Sequence, residues 1–200
     1  MIRYGFALLL GAAFGVGSAL YMAGLWPGMK PLDFGTVEID GWRSDFAIGS
    51  EAADPYTRAR VARHGLLALA KSEAVYFTTT TDSEGRALVE TCDYRVTGGS
   101  MPSQWWSLTL YRQSDSMLPM NTDEALSIDA TSVGRDGDAW SARVSSKQPD
   151  GERHWISSKG AEAFDLMLRL YVPSEALLAD PETALTPPVV ERLSCAVDAA

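Results

Sequence analysis

Two segments of the chain, residues 105–111 and 164–172, alternate apolar and polar side chains in a way that could assemble a binding site. Successive side chains of a β-strand point to opposite faces, so each segment has one purely apolar face and one aromatic-polar face. If the two strands share a sheet in matching register, their aromatic and polar side chains gather on one surface. The residues in question are Trp105, Thr109, Tyr111, Arg169 and Tyr171.

This mixture of side chains is typical of a pocket in which a few polar groups orient a ligand among aromatic walls. Arg169 is suited to a carboxylate or phosphate group, because a guanidinium presents a planar fork of donors. The sequence therefore predicts a small anionic ligand. The alternative is an amphipathic sheet whose second face meets water or a helix, with Arg169 paired to Asp165 or to a helix acid.

No local motif identifies an enzyme. The chain contains no GxSxG, HExxH or GxxxxGK[ST] sequence, and no GxGxxG opens a helix after a strand. With only His64 and His154, a multi-histidine metal site is excluded unless carboxylates complete it, and we predict neither metal nor cofactor. The net charge of −9 argues against nucleic acid as a partner.

The two cysteines, Cys92 and Cys195, do not form a CxxC motif, which removes support for a zinc or thioredoxin-type site. If the domain is exported, they could form one disulfide that closes a loop of about a hundred residues. The alternative is two free thiols, one buried and one in the tail.

Residues 4–26 contain no charge and are long enough to span a bilayer once. We predict that residues 1–26 are a transmembrane anchor in the cytoplasmic membrane, with the body in the periplasm; a cleaved signal peptide is the alternative. Gly11 and Gly15 form a GxxxG motif that could pack against a membrane-protein partner or a second copy. The competing interpretation is that small residues are simply common in such helices.

After a linker at residues 27–53, we predict a domain over 54–200 that begins with a helix at 54–72, where Asp54 is the N-cap and Pro55 the first helical residue. Short strands closed by turns follow, which indicates a mainly β fold, an antiparallel β-sandwich or open barrel with one packed helix. The pattern further predicts a hairpin formed by residues 74–81 and 88–97, and a short helix in the tail at 189–193. Separate strands are predicted at 36–39, 105–111, 125–129, 140–145, 155–156 and 164–172.

Six stretches between residues 54 and 173 resemble the domain-of-unknown-function-1214 family. They are DPYTRARVARHGLLAL, AVYFTTTTDSEGRAL, CDYRVTGG, PSQWWSLTLY, LPMN and FDLMLRLYVP, in the family's order. The resemblance implies a jelly-roll-like β-sandwich and no settled reaction. The family's asparagine-tryptophan pair is His154-Trp155 here, and positions matching the family pattern include Trp105, Trp106, Tyr111, Asn121, Arg169 and Tyr171.

Three functions follow as hypotheses. The first is an anchored envelope domain that binds a small ligand or a membrane-protein partner, with Asn121 added to the candidate binding residues. The second is an envelope enzyme, a hydrolase or lyase, that holds an anionic substrate group with Arg169. The third is an accessory structural subunit of a membrane complex.

Overall fold

The computed structural model describes residues 2–26, 36–50, 53–63, 69–133 and 139–196. The body is mainly β, with two sheets in which all strand pairs but one are antiparallel. This confirms the predicted fold class at the level of a mainly β protein with antiparallel sheets and few helices.

The larger sheet has six strands in the order β1-β2-β3-β9-β5-β6. Its centre is β9, which pairs antiparallel with β3 on one side and β5 on the other. The alternating sequence of β9 produces alternating burial, with every second side chain in the core. The six strands span Thr36–Ile39, Trp42–Asp45, Ala74–Thr79, Ser103–Arg112, Ser127–Asp129 and Phe164–Pro173 for β1, β2, β3, β5, β6 and β9.

The smaller sheet has four strands in the order β10-β4-β7-β8. Its only parallel pair among the described residues joins β7 and β8. The bounds of β4, β7, β8 and β10 are Cys92–Gly98, Trp140–Ser145, Trp155–Ser157 and Val189–Cys195.

The two sheets pack face to face through one hydrophobic core. Aromatic pairs connect them: the Tyr94 and Phe164 rings meet edge to face with centroids 5.7 Å apart, and Trp106 stacks on Trp140 at 4.6 Å. Such pairs contribute about 0.5–1.5 kcal/mol beyond the area they bury. These contacts orient the apolar face of the larger sheet towards the smaller sheet. The opposite face of the larger sheet therefore lies outside this core.

The N-terminal segment forms α1, Ile2–Met22. No helix in the described part of the chain has both the length and the apolar character needed to cross a membrane. The predicted transmembrane anchor is therefore not supported.

The predicted helix at 54–72 is shorter than expected. Helix α2 covers Pro55–Arg63, and Asp54 caps it by accepting hydrogen bonds from the backbone of Tyr56 and Thr57. Residues 64–68 lie outside the described part, and residues 69–72 are not helical. The backbone N–H of Lys71 bonds instead to the carbonyl of Gly49, so this stretch is tied to the preceding loop.

Three short helices complete the described elements. The buried side chain of Leu177 belongs to α4, Glu175–Ala179, so this helix of the tail packs into the core. The helices α3, α4 and α5 span Ala130–Val133, Glu175–Ala179 and Pro181–Ala184.

Two further predictions are wrong. The segments 74–81 and 88–97 do not form a two-stranded hairpin, because β3 pairs with β9 in the larger sheet while β4 joins the smaller one. They meet only where the chain turns between them: Thr81 bridges Ala87, and the backbone N–H of Leu88 donates to the carbonyl of Thr80. The predicted tail helix at 189–193 is instead part of β10, which adds to the edge of β4. Val190 on this strand is buried, and that tertiary contact overrides the local helical signal.

Gly98→Ala tests the packing between the sheets. A Cβ on Gly98 would lie 2.4 Å from Cζ2 of Trp140, whose indole is buried against Trp106. We expect a loss of about 1–3 kcal/mol in the free energy of unfolding, measured by urea denaturation. Gly99→Ala is the control, because its Cβ would meet nothing within 4 Å. Equal stability of the two variants would contradict this account of the packing.

Candidate functional site

The outer face of the larger sheet collects the polar and aromatic side chains of three neighbouring strands. In the β5–β9 register, Trp105 lies opposite Tyr171 and Ser107 opposite Arg169. Directly opposed residues share a face of the sheet. We call this surface the Arg169 face; its members are Tyr76 of β3, Trp105, Ser107, Thr109 and Tyr111 of β5, and Asp165, Met167, Arg169 and Tyr171 of β9.

The guanidinium of Arg169 is held by two hydroxyl groups. Its Nη1 donates to Oγ1 of Thr109 at 3.2 Å, and its Nη2 donates to the hydroxyl of Tyr111. Its Cζ lies 5.3 Å from the centroid of the Tyr111 ring. Thr109 is buried and Arg169 half-buried, so these contacts fix the orientation of the charged group.

No carboxylate neutralises Arg169 within the described part of the chain: its side-chain hydrogen bonds go to the two hydroxyls, and every ion pair there involves other residues. The interpretation in which Arg169 pairs with Asp165 is therefore not what the structure shows. A guanidinium has five N–H donors, and two are used, which leaves three for another acceptor.

An aromatic pair lies at one end of the face. The rings of Trp105 and Tyr171 are 5.2 Å apart between centroids and tilted by 56°. The indole Nε1 of Trp105 donates to Oγ1 of Thr131 at 3.0 Å, which holds the ring in place. Val172, next to Tyr171, has a φ of 47°, a conformation that is unfavourable for a β-branched residue. Backbone strain of this kind is typical of functional sites.

Tyr76 belongs to the face but was missed by the sequence analysis. It lies opposite Arg169 on β3. Burial raises the pKa of its phenol, and a hydrogen bond with the backbone of Leu69 opposes that shift. The alternation of residues 74–79 places Tyr76 on one face of its strand, but the sequence does not reveal that β3 is the neighbour of β9.

Asp165 is the second charged residue of the face. Burial raises the pKa of its carboxyl to about 6, and a hydrogen bond from its own backbone N–H is too weak to offset that effect. Its Oδ1 is buried and has no hydrogen-bond partner in the described part of the chain. Asp165 lies opposite Tyr111 in the register, so it stands on the side towards which the Arg169 side chain reaches.

Asn121 lies apart from this group. Its amide donates to the carbonyl of Lys159 at 2.8 Å, and its Oδ1 accepts from the backbone of Asp123 at 3.1 Å. The bond to Lys159 connects the loop after β5 to the loop after β8, and the bond from Asp123 lies within the loop after β5. The structure thus brings together five of the six predicted ligand-binding residues and places Asn121 in a loop-to-loop contact.

The other predicted residues lie elsewhere. Cys92 and Cys195 face each other across β4 and β10 and form a disulfide with an S–S distance of 2.02 Å, in the sheet opposite the Arg169 face. Gly11 and Gly15 lie in α1, where an added Cβ would meet nothing within 4 Å. Packing of these glycines against a membrane protein or a second copy stays a prediction.

Comparison with known proteins finds similarity to uncharacterised proteins. The family model described as "Protein of unknown function (DUF1214)" matches residues 73–175. The structure resembles the VPA0106 protein from Vibrio parahaemolyticus, with 18% identity, a TM-score of 0.58, and coverage of 72% of this chain and 36% of that one. A protein from Burkholderia cenocepacia matches with 18% identity, a TM-score of 0.37, and coverage of 64% and 31%. No curated protein matches the chain.

The Vibrio likeness shows a shared fold and nothing about activity. The chain spans about 36% of the length of that protein. All members of the Arg169 face, from Tyr76 to Tyr171 in the sequence, lie within the residues that the family model matches.

Asp165→Asn tests whether this carboxyl is destabilising when ionised. Because its pKa is raised to about 6 in the folded state, the folded chain binds the proton more tightly than the unfolded chain, and stability is lost as the pH rises through about 6. We expect the free energy of unfolding of the variant to exceed that of the original chain by about 1 kcal/mol near pH 7.5, a value reduced from the full pKa shift because solvent partly screens the carboxyl. Near pH 4 the two free energies of unfolding should be equal.

Thermal unfolding at both pH values measures the difference. Asp150→Asn, a change at an exposed turn residue, is the matched control and should leave stability unchanged at either pH. A variant of Asp165 that is less stable near pH 7.5 would show that the ionised carboxylate is compensated.

Proposed function

The chain belongs to the DUF1214 family of proteins of unknown function, and we propose that its domain binds a small ligand through an anionic group of that ligand on the Arg169 face. The observation that carries the proposal is a half-buried guanidinium that is oriented by two hydroxyls and neutralised by no carboxylate of the described chain. A charge withdrawn from water without a partner is costly, and a ligand anion would remove that cost.

The geometry around Arg169 favours an oxyanion. Thr109 and Tyr111 each engage a different terminal nitrogen, and one N–H on each of these nitrogens stays available together with Nε–H. Carboxylate and phosphate groups accept two parallel N–H bonds from such a fork. The two hydroxyls hold the fork in one orientation, so less conformational entropy is lost when the ligand binds.

The rest of the face supplies apolar and aromatic area for the body of the ligand. Trp105 and Tyr171 stand at one end, and Met167 lies between Asp165 and Arg169. All five side chains are half-buried, so they keep surface that a ligand can cover. This combination supports a small organic ligand rather than an inorganic ion.

The disulfide supports a location outside the cytoplasm. Disulfides form and persist in oxidising compartments such as the periplasm and are rare in reducing ones. Cys92 and Cys195 pair across the neighbouring strands β4 and β10, and the sequence has no third cysteine with which the bridge could exchange. We therefore place the domain in the periplasm as part of the proposal.

A second candidate function is an enzyme, a hydrolase or lyase acting on a small anionic substrate. One observation favours it: a carboxyl with a pKa of about 6, Asp165, shares the face with Arg169. A general base with a pKa near the working pH is efficient, and perturbed carboxyls concentrate in active sites. Mass spectrometry of a bound ligand after long incubation separates the two functions, because binding alone returns it unchanged.

Arg169→Gln tests the binding proposal. The variant keeps hydrogen-bonding capacity but loses the charge, so we expect its affinity for benzoate and other small carboxylates to fall by about tenfold or more in isothermal titration calorimetry. Arg95→Gln, at an exposed position of β4 in the other sheet, is the control and should bind as the original does. Equal affinities of the Arg169→Gln variant and the original chain would contradict the proposal.

The state of the cysteines tests the proposed compartment. In protein isolated without reductant and with thiols blocked at lysis, we expect neither Cys92 nor Cys195 to react with maleimide until a reductant is added. Because the bridge closes 103 residues of sequence, reduction should lower the free energy of unfolding by up to about 4–5 kcal/mol. Immediate labelling of both residues in the natively isolated protein would contradict an oxidising location.

A further inference from the structure

The Arg169 face carries two unlike charges that pair neither with each other nor with any other charged side chain of the described residues. Asp165 and Arg169 are on the same strand and the same face, four residues apart. They form no ion pair, and Oδ1 of Asp165 is buried without a hydrogen bond. A cation and an anion that lie on one face without pairing are complementary to a ligand that carries one negative and one positive group.

We propose that the ligand of this face is a zwitterion, an amino acid with separated charges, whose carboxylate binds Arg169 and whose ammonium group binds Asp165. The inference rests on the proposed function and specifies its ligand class. An ammonium group supplies three donors and a positive charge, which suits a partly buried carboxylate that forms no ion pair in the described part of the chain.

The register sets the approximate distance between the two charges. Four residues along a strand separate the Cα atoms by about 13 Å. The guanidinium of Arg169 shortens this distance because it reaches to Thr109 and Tyr111, and Tyr111 stands opposite Asp165. The ligand therefore needs several methylene groups between its charges, and that stem would lie over Met167.

The overall charge of the chain also favours a zwitterion over a simple anion. The net charge is −9, so the field of the protein opposes the approach of a free anion. A zwitterion brings no net charge and still provides the carboxylate that Arg169 requires. An ionised Asp165 would repel the second charge of a dicarboxylate, whereas it attracts an ammonium group.

Calorimetric titration of the full chain near pH 8 tests the inference with two matched series of probes. The zwitterions are γ-aminobutyrate and ε-aminohexanoate; the single-charge probes are butyrate, hexanoate, butylamine and hexylamine. We expect at least one zwitterion to bind about tenfold more tightly than its matched acid, since a charged hydrogen bond is gained, and the amines to bind more weakly than either.

Two variants assign the charges to the residues. Asp165→Asn should reduce the affinity for the zwitterion to that of the matched acid, without weakening the acid itself. Arg169→Gln should weaken both. Thermal unfolding shows whether each variant is folded, and if either is not, the comparison of probes on the unaltered chain decides the question alone.

The outcomes separate this inference from the proposed function. If the acids bind the unaltered chain as tightly as the zwitterions, the zwitterion inference is overturned and anion binding at Arg169 stands. If neither acids nor zwitterions bind the folded chain, the proposed function fails together with the inference.

Discussion

The antiparallel register between β5 and β9 is the constraint on which the remaining structure depends. It joins Ser103 to Pro173 at one end and Arg112 to Phe164 at the other, across the full length of both strands. A slip of one residue would move every side chain to the opposite face. The apolar set would then meet water, and Arg169 and Asp165 would enter the core. The cost of that exchange fixes the register, and the register places Arg169 beside Thr109 and Tyr111.

The core and the binding face are therefore two consequences of one pairing. Leu166, Leu168 and Leu170 are fully buried between the sheets, and the residues between them are half-buried on the outer side. The smaller sheet completes the core through Tyr94 and its contact with Phe164. Its edge strand β10 is held by backbone pairing and by the disulfide, on the side of the molecule away from the face.

Alternation within a strand can be seen in the sequence, and the partner of a strand cannot. The segments 105–111 and 164–172 were predicted to share a surface because each has an unambiguous two-residue period, and the structure pairs them directly. The hairpin between 74–81 and 88–97 was wrong, because two adjacent strands with a turn between them can also be placed in different sheets. The tail at 189–193 has weak local signals, and its strand forms only against β4. Tyr76 was missed because the sequence does not reveal that β3 is the neighbour of β9.

The treatment of buried charge elsewhere in the chain makes the Arg169 face unusual. Asp82 is also buried; burial alone would raise its pKa, but hydrogen bonds with Arg86 and Glu84 and the nearby charge of Arg192 lower it overall. That carboxylate is compensated twice over, with nitrogen atoms of Arg86 and Arg192 at 2.9 and 2.8 Å.

Asp165 has no such partner, and Arg169 has only neutral ones. The fold can surround a buried carboxylate with arginines, so the uncompensated pair is not a general property of its polar residues. Leaving two opposite charges unpaired on one face lowers stability and contributes nothing to the core. A cost of this kind is explained when the missing partners are supplied by a ligand, since binding free energy then offsets the loss of folding free energy.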